Sequence, residues 1–236
     1  MKNNRSLSSK DILHLIKEHK LSSDPPPQDS LFWMLWNVNI GIANQTLQTA
    51  FVQGIKQGTL DPVTYGGFNV SDAYYCFHGA DDYQTAASRT NDPILKAFLL
   101  KKYNSYKKYN DTFPEIWHIK DADGIVPSKA IEEYSNYERK VVQELDPIYA
   151  LVVMLPCEYL WAWLGAQLSP AQPGNLYAPW ITGNNDPRGA YTMGNFLNAY
   201  AHFHGIDNGL AMKVYTQAMQ FEYDNFATAT PAPKEA

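Results

Sequence analysis

Residues 148–168 carry an almost continuous apolar run, Ile-Tyr-Ala-Leu-Val-Val-Met-Leu-Pro-Cys-Glu-Tyr-Leu-Trp-Ala-Trp-Leu-Gly-Ala-Gln-Leu. A run of that length has two homes, a membrane or the centre of a folded core. Pro156 and Glu158 break its apolar character and its aromatic residues suit close packing, so a buried core helix is the expectation and a membrane span is not. Pro156 lacks an N–H and crowds the carbonyl four residues back, which predicts a kink at Val152 beside the single thiol of Cys157.

The rest of the chain reads as helices that surround such a core. Leu31, Met34, Leu35 and Val38 form a helical stripe that is expected to continue through Ile42, Leu47 and Phe51. Gly58-Thr-Leu-Asp-Pro stops it, with Asp61 as cap and Pro62 opening the next helix towards Ala87. Further helices are expected near 92–109, 128–144, 146–168, 189–204 and 209–227. Alternating strand patterns and repeats are absent, and the expected fold class is all-α, a bundle of about seven long helices. Residues 1–29 are polar and proline-rich and are expected to be an extension, with a short helix around 12–16; residues 30–230 form the helical domain and 231–236 a tail.

Composition removes several functional classes. A net charge of −5 opposes a phosphate-backbone binder, so no nucleic-acid partner is expected. The lysines and tyrosines of 101–109 are read as a solvated helix face. Two cysteines make no disulfide framework and Met-Lys-Asn-Asn-Arg precedes no apolar signal core, which points to a reducing, cytoplasmic location. His202 and His204 diverge on a helix. His78 and Asp82 stand four apart and could ligate a metal, yet ordinary helix side chains explain them better. No metal is expected.

Polar groups on apolar faces mark the candidate chemistry. Asp72, Tyr75, Cys76 and Gly79 share one helix face. In the last helix Glu222 and Asn225 interrupt the stripe of Ala211, Val214, Tyr215, Ala218 and Phe226. A glutamate buried there is hydrogen bonded, raised in pKa, or both, and a raised glutamate serves as a general acid near neutral pH.

Five segments, in order, resemble the TenA family, the thiaminase II or aminopyrimidine aminohydrolase proteins of the heme-oxygenase-like helical fold. They are Phe51-Val-Gln-Gly-Ile-Lys-Gln-Gly-Thr-Leu, Ser71-Asp-Ala-Tyr-Tyr, Leu155-Pro-Cys, Tyr177-Ala-Pro-Trp-Ile and Phe221-Glu-Tyr. The resemblance spans most of residues 30–230. It implies cofactor-independent hydrolysis of thiamine or a thiamine-derived aminopyrimidine for vitamin salvage, in a homotetramer. By the same resemblance Cys157 attacks the pyrimidine ring, Glu222 handles the ring-nitrogen proton, Asp72 binds the amino group and Tyr75 lines the pocket. Departures from the family pattern fall at Trp161 and Asn184, where tyrosines are usual, and at Asn225, where phenylalanine is usual. The tyrosine that stacks on the pyrimidine has no clear match: register points to Glu132, with Tyr134 and Tyr137 nearby. Two other readings stay open, a PqqC-like or metal-dependent oxidase or oxygenase of the same fold and a non-enzymatic ligand-binding regulator.

Overall fold

A computed structural model describes Lys10 and residues 21–229. Among these there are ten helices and no strand: α1 Leu31–Leu47, α2 Ala50–Gln57, α3 Pro62–Arg89, α4 Pro93–Asn110, α5 Phe113–Ile116, α6 Lys129–Glu144, α7 Tyr149–Leu168, α8 Ala178–Asn184, α9 Arg188–His204 and α10 Asn208–Thr228. The short helix expected around 12–16 lies outside the described residues, as does the tail.

Caps set most boundaries. The side chains of Thr49, Asp61, Asp92, Ser128 and Asp207 each accept from a backbone N–H of the helix that follows, satisfying donors that the first turn leaves bare. The cap at Thr49 explains one departure from expectation. The stripe from Leu31 to Phe51 is two helices, α1 and α2, because the Thr49 hydroxyl offers Val52 N–H a partner that ends one helix and starts another. The short α5 and α8 have no counterpart among the expected helices, since four and seven residues carry too little periodicity.

The apolar run is α7, and the helix continues on both sides of Pro156. By length and composition it suits a membrane span, but it is mostly buried inside the protein. Helices α3, α6, α8, α9 and α10 all pack on it, so it is apolar around most of its circumference because most of it has a protein neighbour. Full burial of the leucine, valine and methionine side chains at 151–155 stabilises the fold by about 1.5–3 kcal/mol for each.

Two close approaches position the ends of the bundle. A Cβ on Gly165 would meet the backbone of Asn184 and Asn185 at 2.8 Å, so only glycine lets the end of α8 lie directly on α7. Gly194 likewise admits the Phe32 ring and Pro26. Residues 21–29, extension-like in composition, are tied to the helices: Pro26 is buried, its carbonyl accepts from Trp33 Nε1 at 2.8 Å, and Asn195 Nδ2 donates to the carbonyls of Ser22 and Asp24 at 3.1 and 2.9 Å.

Candidate active site

Helices α3, α4 and α7 and the turn after α8 enclose a cavity of about 410 Å³, within the range of small-molecule sites. Asp72 and Cys76 reach it from α3, Cys157, Glu158 and Trp161 from α7, and Asn184 and Asp186 close it from the α8 end. The spacing of Cys157, Trp161 and Glu158 on α7 puts all three on the cavity side of an otherwise core-facing helix.

Asp72 is half-buried in the cavity wall, and its desolvation pushes the carboxyl pKa up to about 7 against the opposing effect of the Cys76 thiol, whose Sγ lies 3.8 Å from Oδ2. Burial also pushes the Cys157 thiol well above its ordinary value, reinforced by the carboxyl groups of Glu222, Asp72, Glu158 and Glu138. The Tyr106 hydroxyl stands 4.0 Å from Cys157 Sγ. Lys102, which lines the cavity, is bonded to Glu158. Cys157 is therefore a neutral thiol at rest and must shed its proton during reaction.

Glu222 lies behind Trp161. It is buried, and Trp161 Nε1 donates to its Oε2 at 3.1 Å. Burial raises its pKa to about 8, opposed by that bond. The indole thus supplies Glu222 with a hydrogen-bond donor. Asn184 spends its amide on its own helix, donating from Nδ2 to Trp180 O at 2.8 Å.

Several residues expected at the pocket lie elsewhere. Tyr75 is buried behind it and donates to Glu138 Oε1 at 2.7 Å. Tyr134 is stacked between Tyr75 and Phe221, Tyr137 packs on the outer side of Phe221, and Glu132 is exposed. Asn225 lines a separate, smaller cavity of about 180 Å³ with Ser71 and Ser128, one helical turn beyond Glu222. None of these four, Tyr75, Tyr134, Tyr137 or Asn225, lines the cavity that holds Cys157, and neither does Glu222, which lies behind Trp161.

The aromatic lining comes instead from α4, on the face read from sequence as solvated. Lys102 is buried, and Tyr106 and Tyr109 face the cavity with it. The signal was present, because Leu95, Phe98, Lys102, Tyr106 and Tyr109 form one helical stripe. Lys107 and Lys108 do point to solvent. His78 and Asp82 both meet Arg139, whose Nη2 lies 2.8 Å from His78 Nδ1 and whose Nε donates to Asp82 Oδ1 at 3.5 Å. Among the described residues no group of three or more His, Cys, Asp or Glu gathers at metal-binding distance.

The raised carboxyl groups make a stability prediction. The folded state holds a proton on Glu222 between pH 4.5 and about 8, and on Asp72 between 3.8 and about 7, where the unfolded chain does not. Stability then falls as pH rises through these windows, by about 1.4 kcal/mol per pH unit for each group. Urea unfolding followed across this range is expected to show that decline, with a flatter curve for Glu222→Gln.

The cavity, its thiol, its raised Asp72 carboxyl and the raised Glu222 carboxyl behind it sit in an all-α fold whose solved counterparts are TenA homologues. The TenA homologue from P. horikoshii OT3 superposes with a TM-score of 0.73 at 15% identity, covering 85% of this chain and 98% of that one. A TenA family transcription regulator from Silicibacter sp. TM1040 gives 0.73 at 16% identity, covering 87% and 99%. In sequence, the chain is 25% identical to the aminopyrimidine aminohydrolase of Bacillus subtilis (strain 168) over 138 residues, 56% of this chain and 58% of that protein's length. No family model matches the chain. The resemblance to the TenA family is thus carried by the fold of nearly the whole helical body and by a sequence match over more than half of it.

Proposed function

We propose that this chain is a TenA-like hydrolase that acts on thiamine or a thiamine-derived aminopyrimidine, with Cys157 as nucleophile and Glu222 as proton carrier. The observation that carries the reading is the placement of Asp72, Cys157 and Trp161 around one small cavity, with Glu222 bonded to the Trp161 indole behind it. An aminopyrimidine offers an amino group for Asp72, an electron-poor ring carbon for sulfur and a ring nitrogen for Glu222.

The raised thiol and the raised acid fit one another. With the Trp161 indole displaced by the bound substrate, Glu222 reaches the ring nitrogen and gives it a proton as sulfur bonds to the ring carbon, and the carboxylate so formed takes up the thiol proton. The net change is addition of S–H across the ring C=N bond, without a free thiolate beforehand. The electron pair released from the ring then expels the leaving group from the exocyclic methylene. Water adds at that carbon, and elimination of the thiol restores the ring.

Asp72→Asn tests the substrate class. The amide turns an acceptor towards the substrate's amino hydrogens into a donor, a mismatch that costs about 2–4 kcal/mol, so calorimetry is expected to show an aminopyrimidine binding roughly thirtyfold more weakly or worse. The analogue with hydrogen in place of the amino group is expected to bind both proteins equally. Equal loss for the two ligands would remove Asp72 from recognition and the aminopyrimidine with it.

A further inference from the structure

Cys157 stands between two ends of the cavity that differ in chemistry. Three contacts between α3 and α4 fix the order along it. Asn110 Nδ2 donates to Cys76 O at 3.0 Å, a Cβ on Gly79 would meet the Tyr106 ring at 3.0 Å, and Lys102 Nζ lies 5.9 Å from the centre of the Tyr83 ring. The Tyr106 hydroxyl, 4.0 Å from Cys157 Sγ, belongs to the middle contact. Asp72 lies one turn beyond the first contact and Lys102 at the third, so about 16 Å of helix separates their levels.

The end away from Asp72 is lined by an ion pair. Lys102 of α4 bonds to Oε1 of Glu158 of α7, and the two side chains are only 10% and 16% exposed. Glu158 Oε2 has no bonded partner among the described residues. It is the atom that a Cβ on Gly189 would meet, at 3.0 Å, so glycine at this point of the cavity wall leaves the oxygen room. Asp186, the other carboxylate at this end, is held by Arg188. A buried ion pair adds little net stability once its desolvation is counted, and a hydrocarbon pair would join α4 to α7 as well. What the pair presents is a carboxylate tethered through one oxygen and unspent at the other, on the residue next to Cys157.

We propose that Glu158 determines specificity for the leaving group: its free oxygen accepts a hydrogen bond from a primary ammonium carried on the exocyclic methylene of the substrate. The inference rests on the aminopyrimidine reading of the site and names the leaving group within it. With the ring amino group at Asp72 and the attacked carbon at Cys157, the methylene substituent has the Lys102–Glu158 end of the cavity to occupy. An ammonium brings three N–H donors to the carboxylate, in a charge-assisted bond. A thiazolium nitrogen is fully substituted and brings none. The bond also holds the amine in its protonated form, so that it departs as ammonia with the C–N electron pair and the three protons it already carries. Lys102, through Oε1, keeps the carboxylate turned to that task.

The test is calorimetry near neutral pH on the full chain carrying Cys157→Ser, which binds without turnover, with three ligands: aminomethylpyrimidine, its analogue with a plain methyl in place of the aminomethyl group, and thiamine. Adding Glu158→Gln keeps an acceptor for Lys102 and removes the charge. Aminomethylpyrimidine is then expected to bind at least about tenfold more weakly, the methyl analogue to bind as before, and thiamine to lose less than the amine. Adding Lys102→Gln instead keeps a donor for Oε1 and removes a competing cation, so the amine is expected to bind no more weakly than to the parent. Equal change for the amine and the methyl analogue in Glu158→Gln, or a loss for thiamine as large as for the amine, would overturn the proposal and leave the aminopyrimidine reading standing. Should Glu158→Gln fail to fold, Lys102→Gln decides, and weaker binding of both pyrimidines there would reduce the pair to a clamp between helices. A parent that binds none of the three ligands would sink the aminopyrimidine reading and this proposal with it.

Discussion

Cys157→Ser is expected to lose about a thousandfold or more in turnover of an aminopyrimidine substrate while keeping its fold. Serine occupies the same space, so the cavity and the α7 packing remain. Its hydroxyl is a far weaker nucleophile, and burial among the carboxyl groups of Glu222, Asp72 and Glu158 hinders its ionisation further than it hinders the thiol's. Losses of this size and larger accompany removal of a nucleophile from a working site. Cys76→Ser provides the control within the same cavity. Its thiol contacts Asp72 at 3.8 Å, a contact that a serine hydroxyl preserves, so a change of no more than a few-fold is expected. Single-turnover and steady-state rates for the two variants, with circular dichroism to confirm folding, check the result. A Cys76→Ser enzyme crippled beside an active Cys157→Ser enzyme would reverse the assignment.

Glu222→Gln is expected to lower kcat by about a hundredfold or more with a smaller change in affinity. The amide accepts from Trp161 as the carboxyl does, so position is kept and only the proton is lost. Glu222 titrates near 8 because it is buried, so the wild-type rate is expected to fall on the alkaline side as that proton leaves. The sign follows from the role: the acid form gives the proton, and activity is present below the pKa and declines above it. The mutant's pH profile is expected to lack that alkaline limb. A limb that survives intact in Glu222→Gln would reduce Glu222 to a structural residue.

The residues that the sequence brought forward differ in how they fare, and the reason is physical. A carboxylate interrupting an apolar stripe is visible without a structure, as at Glu222, which is 2% exposed as that pattern requires, whereas Asp72, legible only as an acid sharing a helix face with Tyr75, is half-buried at the cavity wall. The same pattern marks Glu138, which follows Ile131, Tyr134 and Ser135 on the inner face of α6. Applied there, the argument would have found it too. Lys102, Tyr106 and Tyr109 were hidden by composition, because lysines dominate the window and their neighbours Lys107 and Lys108 do face solvent.

Side-chain direction across elements was not legible at all. Periodicity puts Tyr75 on the same face as Asp72, yet the wide arc of a buried helix face turns Tyr75 towards α6 and Asp72 towards α4 and α7. Asn225 illustrates the same limit on α10, three residues from Glu222 and facing another cavity. The helix count survived because seven long stripes and their caps are local properties. The break at Thr49 and the short α5 and α8 depend on single hydrogen bonds and tertiary packing.

The most direct measurement of the hydrolase reading is the pyrimidine product itself, formed in isotopically labelled water and analysed by mass spectrometry. Purified protein incubated separately with thiamine and with aminomethylpyrimidine is expected to release a hydroxymethylpyrimidine from at least one of them. The product should carry the label at its new hydroxyl, and its formation should be lost in Cys157→Ser. Absence of that product from both substrates, or its undiminished formation by Cys157→Ser, would contradict the account.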